Sequence, residues 1–268
     1  MTVEAELPDR ERPDLMFLAE APGDEELVKG RPLVGPSGRL LNFMLFRSGI
    51  SRRQCLVDNV IQEKLPNNSL KPYTMTKANF LKATREFPVD PEVTHIGEQK
   101  TPEGGYLDPS WWGSLQRLRD TILDWQPKVV VPLGSTALWA MTGATSIASA
   151  RGAAMWGTLA PVKVLPTYHP AYIARKFSHH VVVVEDLNKA KREAKDPDHL
   201  DIQRRELWLN PTLEDLGYFY WEYIKPMQGG EVPVGCDIET SKGQIECIGF
   251  APSNDRAIVV PFIDYDQP

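Results

Sequence analysis

Short apolar runs alternate with amphipathic stretches and breaker clusters along the first two-thirds of this 268-residue chain. Residues 15–18 are apolar and run into Ala21-Pro22-Gly23 and the acidic Asp24-Glu25-Glu26, which predicts a buried strand and then a loop. Residues 37–48 carry Ser37 at a capping position, apolar residues at helical spacing and Gly49 just beyond, which predicts a helix. Residues 55–60 predict a second strand that ends near Asn59. From 67 to 112 the pattern weakens into an excursion on the sheet's edge, with one short helix around 77–85. Order returns with a helix over 112–125, a strand over 129–133 and a helix over 136–141. A strand over 162–167 then leads into His169-Pro170, and a closing helix covers 181–194. Strands and helices alternating at this spacing predict an α/β domain over 1–194, with a mostly parallel central sheet and helices on both faces.

A different pattern follows. Residues 195–210, charged and Pro-containing at first, read as a linker, and Asn210-Pro211-Thr212 has the form of a helix start for a segment to about 224. Residues 232–239, 245–251 and 257–262 read as consecutive strands, with turns at Lys242-Gly243 and Ser253-Asn254-Asp255. Residues 211–268 hold too few elements for a whole domain and predict an incomplete α+β segment.

A hydrophobic content of 42% is that of a globular chain and excludes general disorder. No run of about 18 apolar residues occurs, and the acidic N-terminus lacks a signal peptide's basic and apolar regions, so a cytoplasmic protein without a membrane partner is expected. The three cysteines, Cys55, Cys236 and Cys247, are too dispersed for a disulfide framework or a CxxC site and read as buried thiols. A formal charge of −6 excludes a generally basic coat but leaves a local basic face open.

The candidate chemistry lies where predicted strands end: Glu20 with Ala21-Pro22-Gly23, then Asn59, then His169-Pro170. Singly, each has an ordinary structural reading as cap, turn former or packed histidine. In a parallel sheet, however, all three loops converge on one edge, where open α/β sheets bind ligands.

In this order the blocks resemble the family 4 uracil-DNA glycosylases. The resemblance rests on Leu18-Ala19-Glu20-Ala21-Pro22-Gly23 with Glu26, Gly30-Arg31-Pro32-Leu33-Val34-Gly35, Gly38-Arg39-Leu40-Leu41 and Asp58-Asn59-Val60. It continues through Leu133-Gly134-Ser135-Thr136-Ala137, Arg151-Gly152, Pro166-Thr167-Tyr168-His169-Pro170-Ala171-Tyr172 and Val184-Glu185-Asp186-Leu187. It implies hydrolysis of the N-glycosidic bond of uracil in DNA, with the base taken out of the stack into a pocket. Asn59 matches the residue that reads uracil's alternating carbonyls and N–H, and His169 matches the donor to the leaving base. Glu20 matches the acid that orients water or steadies the sugar cation, with Ala21, Pro22, Gly23 and Leu33 against the base. Ala171 and Tyr172 fall in the segment that wedges into DNA. Arg175 and Lys176 are candidate phosphate contacts, or else a solvated face.

The sequence departs from the family in three places. The N-terminal cysteine pair of the family's iron-sulfur cluster is absent and Glu63 replaces a third ligand, so neither a cluster nor any other cofactor is expected for excision. Leu33 stands where the family stacks a Phe on uracil, and Ala19 replaces a Gly. A uracil- or DNA-binding module without chemistry is the alternative reading.

In Val234-Gly235-Cys236-Asp237-Ile238-Glu239-Thr240, two carboxylates two residues apart share one strand face, as a pair of Mg²⁺ or Mn²⁺ ions requires. Solvated acids on an edge strand have the same spacing. With the strands that follow, the motif resembles the opening of the 3′–5′ exonuclease domain of family A DNA polymerases, especially phage-like ones. That resemblance implies a polymerase in cis, a phage-encoded protein in the host cytoplasm, and an exonuclease segment inactive as it stands.

Overall fold

The structure, a computed structural model, describes residues 1–84, 90–200, 205–227, 233–241 and 243–262. Arg85, Val232, Lys242 and residues 201–204, which belong to expected elements or to the expected linker, lie outside the described residues. The chain divides into two compact units, Met1–Leu200 and Asp201–Pro268.

The first unit is built on β1 (Leu15–Ala19), followed by α1 (Asp24–Lys29), α2 (Pro36–Arg47) and β2 (Leu56–Asn59). The excursion supplies β3 (Thr74–Met75), α3 (Lys77–Ala83), α4 (Pro91–Gly97) and β4 (Tyr106–Leu107). Then come α5 (Trp112–Trp125), β5 (Val129–Pro132), α6 (Ser135–Thr142), α7 (Ile147–Ala150), β6 (Met155–Trp156) and β7 (Lys163–Val164). The helices α8 (Pro170–Arg175) and α9 (His180–Glu193) complete the unit.

The sheet order is β2-β1-β5-β7-β6, parallel except for β6. Every residue of β1, β2 and β5 is buried, as central strands covered on both faces must be. Alternate side chains divide the core. Met16, Leu18 and Val130 pack with α5 and α6, while Leu15, Phe17, Val129 and Val131 pack with α2 and α9. The helices bury matching stripes, Trp112, Leu115, Leu118 and Ile122 on α5 and Val183, Asp186, Leu187 and Ala190 on α9.

Several expectations are corrected. Ser37 is not the cap of α2: the helix starts at Pro36, whose missing N–H suits a first turn, behind Gly35. The excursion is no loose edge, because Leu70, Phe80, Val93, Ile96 and Leu107 are buried in the core with Trp112. Three short elements, α3, α4 and β4, and the turn before β3 contribute them at irregular spacing, which hides the periodicity. The last parallel strand is shorter than 162–167, and the chain beyond it stays on the sheet through a bridge between Leu133 and Thr167. No helix among the described residues is long and apolar enough to cross a membrane.

The second unit holds β8 (Glu206–Leu209), α10 (Leu213–Phe219), β9 (Gly235–Ser241), β10 (Gln244–Ser253) and β11 (Arg256–Pro261) in the order β8-β11-β10-β9. The end of the expected linker is therefore a strand, β8, paired parallel to β11. The charged run before it masked Leu207-Trp208-Leu209, and the Trp208 ring stacks on Tyr218 at 5.8 Å. Thr212 caps α10 in a reciprocal box with Asp215.

Candidate functional site: a cavity at the carboxyl edge of the sheet

Register brings the candidate loops together. Ala19 pairs with Asn59, Leu18 with Pro132, and Leu133 bridges to Thr167, so Glu20, Asn59, Gly134 and His169 all leave the same edge of the sheet. A cavity of about 720 Å³ opens there, lined by Glu20, Ala21, Gly23, Leu33, His169 and Tyr172 among others. That size suits a small ligand or an extruded nucleoside. Ala171 and Arg175 also line it. Asn59, Pro22 and Lys176 are not among the lining residues: Asn59 lies at the buried end of β2, and the Lys176 ammonium lies 5.8 Å from the Tyr172 ring centre.

His169 is the N-cap of α8, and its Nδ1 accepts the Ala171 backbone N–H at 3.1 Å. In the neutral ring the proton is therefore on Nε2, which makes Nε2 the donor. Burial, helped by the nearby Arg175 charge and opposed by Glu26, pushes the His169 pKa down to about 4, so the ring is neutral at physiological pH. Gly134 has φ +91°, and a Cβ there would lie 3.1 Å from the His169 Cβ, so the turn after β5 fits closely only without a side chain.

Glu20 accepts the Thr136 hydroxyl at 2.5 Å. Its pKa is raised by burial, which outweighs that hydrogen bond and is reinforced by the negative charge of Glu103. Asn59 is 1% exposed, and its side-chain amide nitrogen has no hydrogen-bond partner among the described residues. A buried donor left unpaired costs about 1–3 kcal/mol, which a ligand carbonyl would recover. Arg117 on α5 donates to the Asp58 carboxylate at 2.6 Å and to the Asn59 carbonyl at 2.7 Å, fixing the end of β2.

Leu33 adopts φ +50°, a left-handed conformation that is strained for a branched residue. Three residues hold it. Arg52 donates to the Pro32 and Leu33 carbonyls at 2.6 and 2.7 Å, and Glu26 accepts the Val34 and Gly35 N–H groups at 3.0 and 2.7 Å. Gly38 lets the loop sit on α2, since a Cβ there would lie 1.7 Å from the Leu33 carbonyl oxygen. Sequence reasoning gave no role to Glu26, Arg52, Arg117 or Thr136. Glu26 and Thr136 fall within the quoted blocks, whereas nothing in the local pattern marks the two arginines.

The acids at the cavity mouth are neutralised. Asp24 pairs with Lys64, and Glu25 with Lys29 and Arg39. A polyanion can therefore approach without facing bare carboxylates.

These loops on this sheet define a family. The chain belongs to the uracil-DNA glycosylase superfamily, which it matches over residues 7–194. It is 32% identical to the type-4 uracil-DNA glycosylase of Thermotoga maritima over 182 residues, covering 66% of this chain and 76% of that protein. It is 30% identical to the type-4 enzyme of Sulfurisphaera tokodaii over 197 residues, covering 70% and 74%.

The residues present do not fit the iron-sulfur cluster that the resemblance carries. A cluster of that kind needs four thiolates, and the chain has three cysteines, of which two lie in the second unit. Cys55 is buried with its thiol against the Ser51 carbonyl, and burial pushes its pKa up to about 12, which keeps it protonated.

Asp237 and Glu239 lie outside the family match, exposed on β9 and in register with Gly249 and Cys247 of β10. Among the described residues, no group of three or more His, Cys, Asp or Glu side chains is arranged to hold a metal ion.

Proposed function

We propose that residues 7–194 form a uracil-DNA glycosylase that hydrolyses the N-glycosidic bond of uracil in DNA, a base-excision step of repair. The observation that carries the reading is the convergence, at one sheet edge, of a neutral histidine, a half-buried carboxylate and an unpaired buried amide. The Asn59 amide binds the carbonyl and N–H edge of the extruded base. The His169 Nε2–H stabilises the charge that grows on uracil as the bond breaks. Glu20 orients the water or steadies the cationic sugar, and the backbone N–H groups of Ala21 and Gly23 steady the base. Ala171 and Tyr172 on α8 press on the strand, with Arg175 and Lys176 available to its phosphates.

Alkaline cleavage of oligonucleotides bearing one uracil, thymine or cytosine tests this. Strand breaks are expected at uracil alone, and Asn59→Ala should lower kcat/KM for uracil by at least about a hundredfold, because a site built around a hydrogen bond discriminates strongly. Equal cleavage of all three bases would rule out the role given to Asn59.

Leu33 favours a second reading, a module that holds uracil without excising it. An aromatic stacked on a base contributes about 1–3 kcal/mol. Leu33→Phe is therefore expected to raise kcat/KM for uracil about tenfold, measured under subsaturating substrate. No gain would mean that the strained loop does not present residue 33 to the base.

Protonation gives an independent check. Because Glu20 titrates above the ordinary glutamate range and His169 far below 6.5, the acid limb of the kcat/KM profile should belong to Glu20 and vanish in Glu20→Gln. A limb that persists near pH 6.5 in that variant would show His169 titrating normally.

A further inference from the structure

Three lysines of the excursion converge on a second cavity, of about 710 Å³, between the β3–β4 ribbon and the start of α3. Lys71, Lys77 and Lys100 line it together with Thr74, Thr76 and Asn79. In a chain of net charge −6, many lysines are neutralised, as Lys29, Lys64, Lys128 and Lys163 are by carboxylates. Among the described residues, Lys71, Lys77 and Lys100 form no ion pair. Glu103, the one acid among the described residues that line the groove, is bound by the Ser69 hydroxyl at 2.9 Å and the Leu70 N–H at 3.3 Å.

That contact joins the groove to the base cavity. Asn67 and Asn68 take left-handed φ of +53° and +51°, which asparagine tolerates better than most residues, and the turn they form puts Asn68 on the wall of the first cavity. The next two residues hold Glu103, on the wall of the second. One turn therefore separates the two, and Glu103 is close enough for its charge to be felt at Glu20.

We propose that this groove binds the phosphodiester backbone of the DNA strand beside the extruded uracil, with Lys71, Lys77 and Lys100 as phosphate contacts and Thr74, Thr76 and Asn79 as neutral hydrogen-bonding partners. The proposal rests on the glycosylase reading for its substrate but has a readout of its own. Unpaired ammonium groups on a short ribbon are suited to backbone contact, which carries affinity and not sequence.

The test is the salt dependence of DNA binding by the full chain, followed by fluorescence anisotropy with a labelled single-stranded oligonucleotide, for wild type, Lys71→Ala/Lys77→Ala/Lys100→Ala and the control Lys82→Ala on α3. Each phosphate contact contributes about 0.7–0.9 to the slope of log K against log salt. The triple variant should therefore lose about 2 from that slope, bind about tenfold or more weakly at 0.1 M salt, and excise with raised KM and unchanged kcat. Lys82→Ala should match wild type. All three lysines are exposed, so circular dichroism is expected to show an unaltered fold. A triple variant with wild-type slope and affinity would overturn the proposal. A wild-type chain that excises nothing yet loses slope in the triple variant would refute the glycosylase reading while supporting the groove.

Discussion

His169→Ala is expected to slow uracil excision about 10²–10³-fold in single-turnover assays, the effect of removing one preorganised donor from a developing anion. The size follows from the geometry. Nδ1 is committed to the Ala171 N–H, so Nε2 alone is left to donate, and the depressed pKa keeps the ring neutral at physiological pH. The same shift has a stability consequence. The folded ring resists protonation while the unfolded ring takes a proton at about 6.5, so unfolded chains bind more protons between these values. Its stabilising contribution is whole above pH 6.5 and is lost as pH falls toward about 4. His169→Ala should flatten that part of the stability profile, measured by urea denaturation across the pH range. Wild-type excision rates in His169→Ala would remove the residue from the mechanism.

Arg117→Ala is expected to cost about 3–5 kcal/mol of folding stability, because it strands a buried charge. Asp58 is fully buried, and among the described residues it receives, apart from Arg117, only the Asn59 N–H at 2.7 Å and a long contact from Gln62 at 3.4 Å. Against a typical stability of about 5–15 kcal/mol that is a large share. Arg117→Lys should recover only part of it, since an ammonium cannot reach both the carboxylate and the Asn59 carbonyl as the guanidinium fork does. Arg53→Ala, which breaks an exposed pair with Asp9, should change stability by less than about 1 kcal/mol. Urea denaturation compares the three, and a loss below about 1 kcal/mol in Arg117→Ala would show that Asp58 finds other partners.

These two residues also mark what local pattern could and could not reveal. The strands β1, β2 and β5 announce themselves because burial on both faces demands unbroken apolar runs, and α5 and α9 because one buried face imposes helical spacing. Glu20, Asn59 and His169 were legible as breaks at strand ends, where a parallel sheet gathers its loops. The contacts that hold them are not periodic. Thr136 reaches Glu20 from 116 residues away, Arg117 reaches Asp58 from 59, and Arg52 clamps Leu33 from 19. Such pairs are set by tertiary packing alone. Apart from the short helix α3, the excursion was illegible for a related reason: its buried Phe80, Val93, Ile96 and Leu107 are spread over α3, α4 and β4, so no window of sequence carries their common face.

The most direct test of the central claim is the release of free uracil, quantified by mass spectrometry, when wild-type chain in excess meets an oligonucleotide with a single uracil. The account predicts one uracil per strand, an abasic site in its place, and formation of both slowed about 10²–10³-fold in His169→Ala. Oligonucleotide bound by the wild-type chain with its uracil still attached would contradict it, and would leave a domain that binds DNA without cleaving the glycosidic bond.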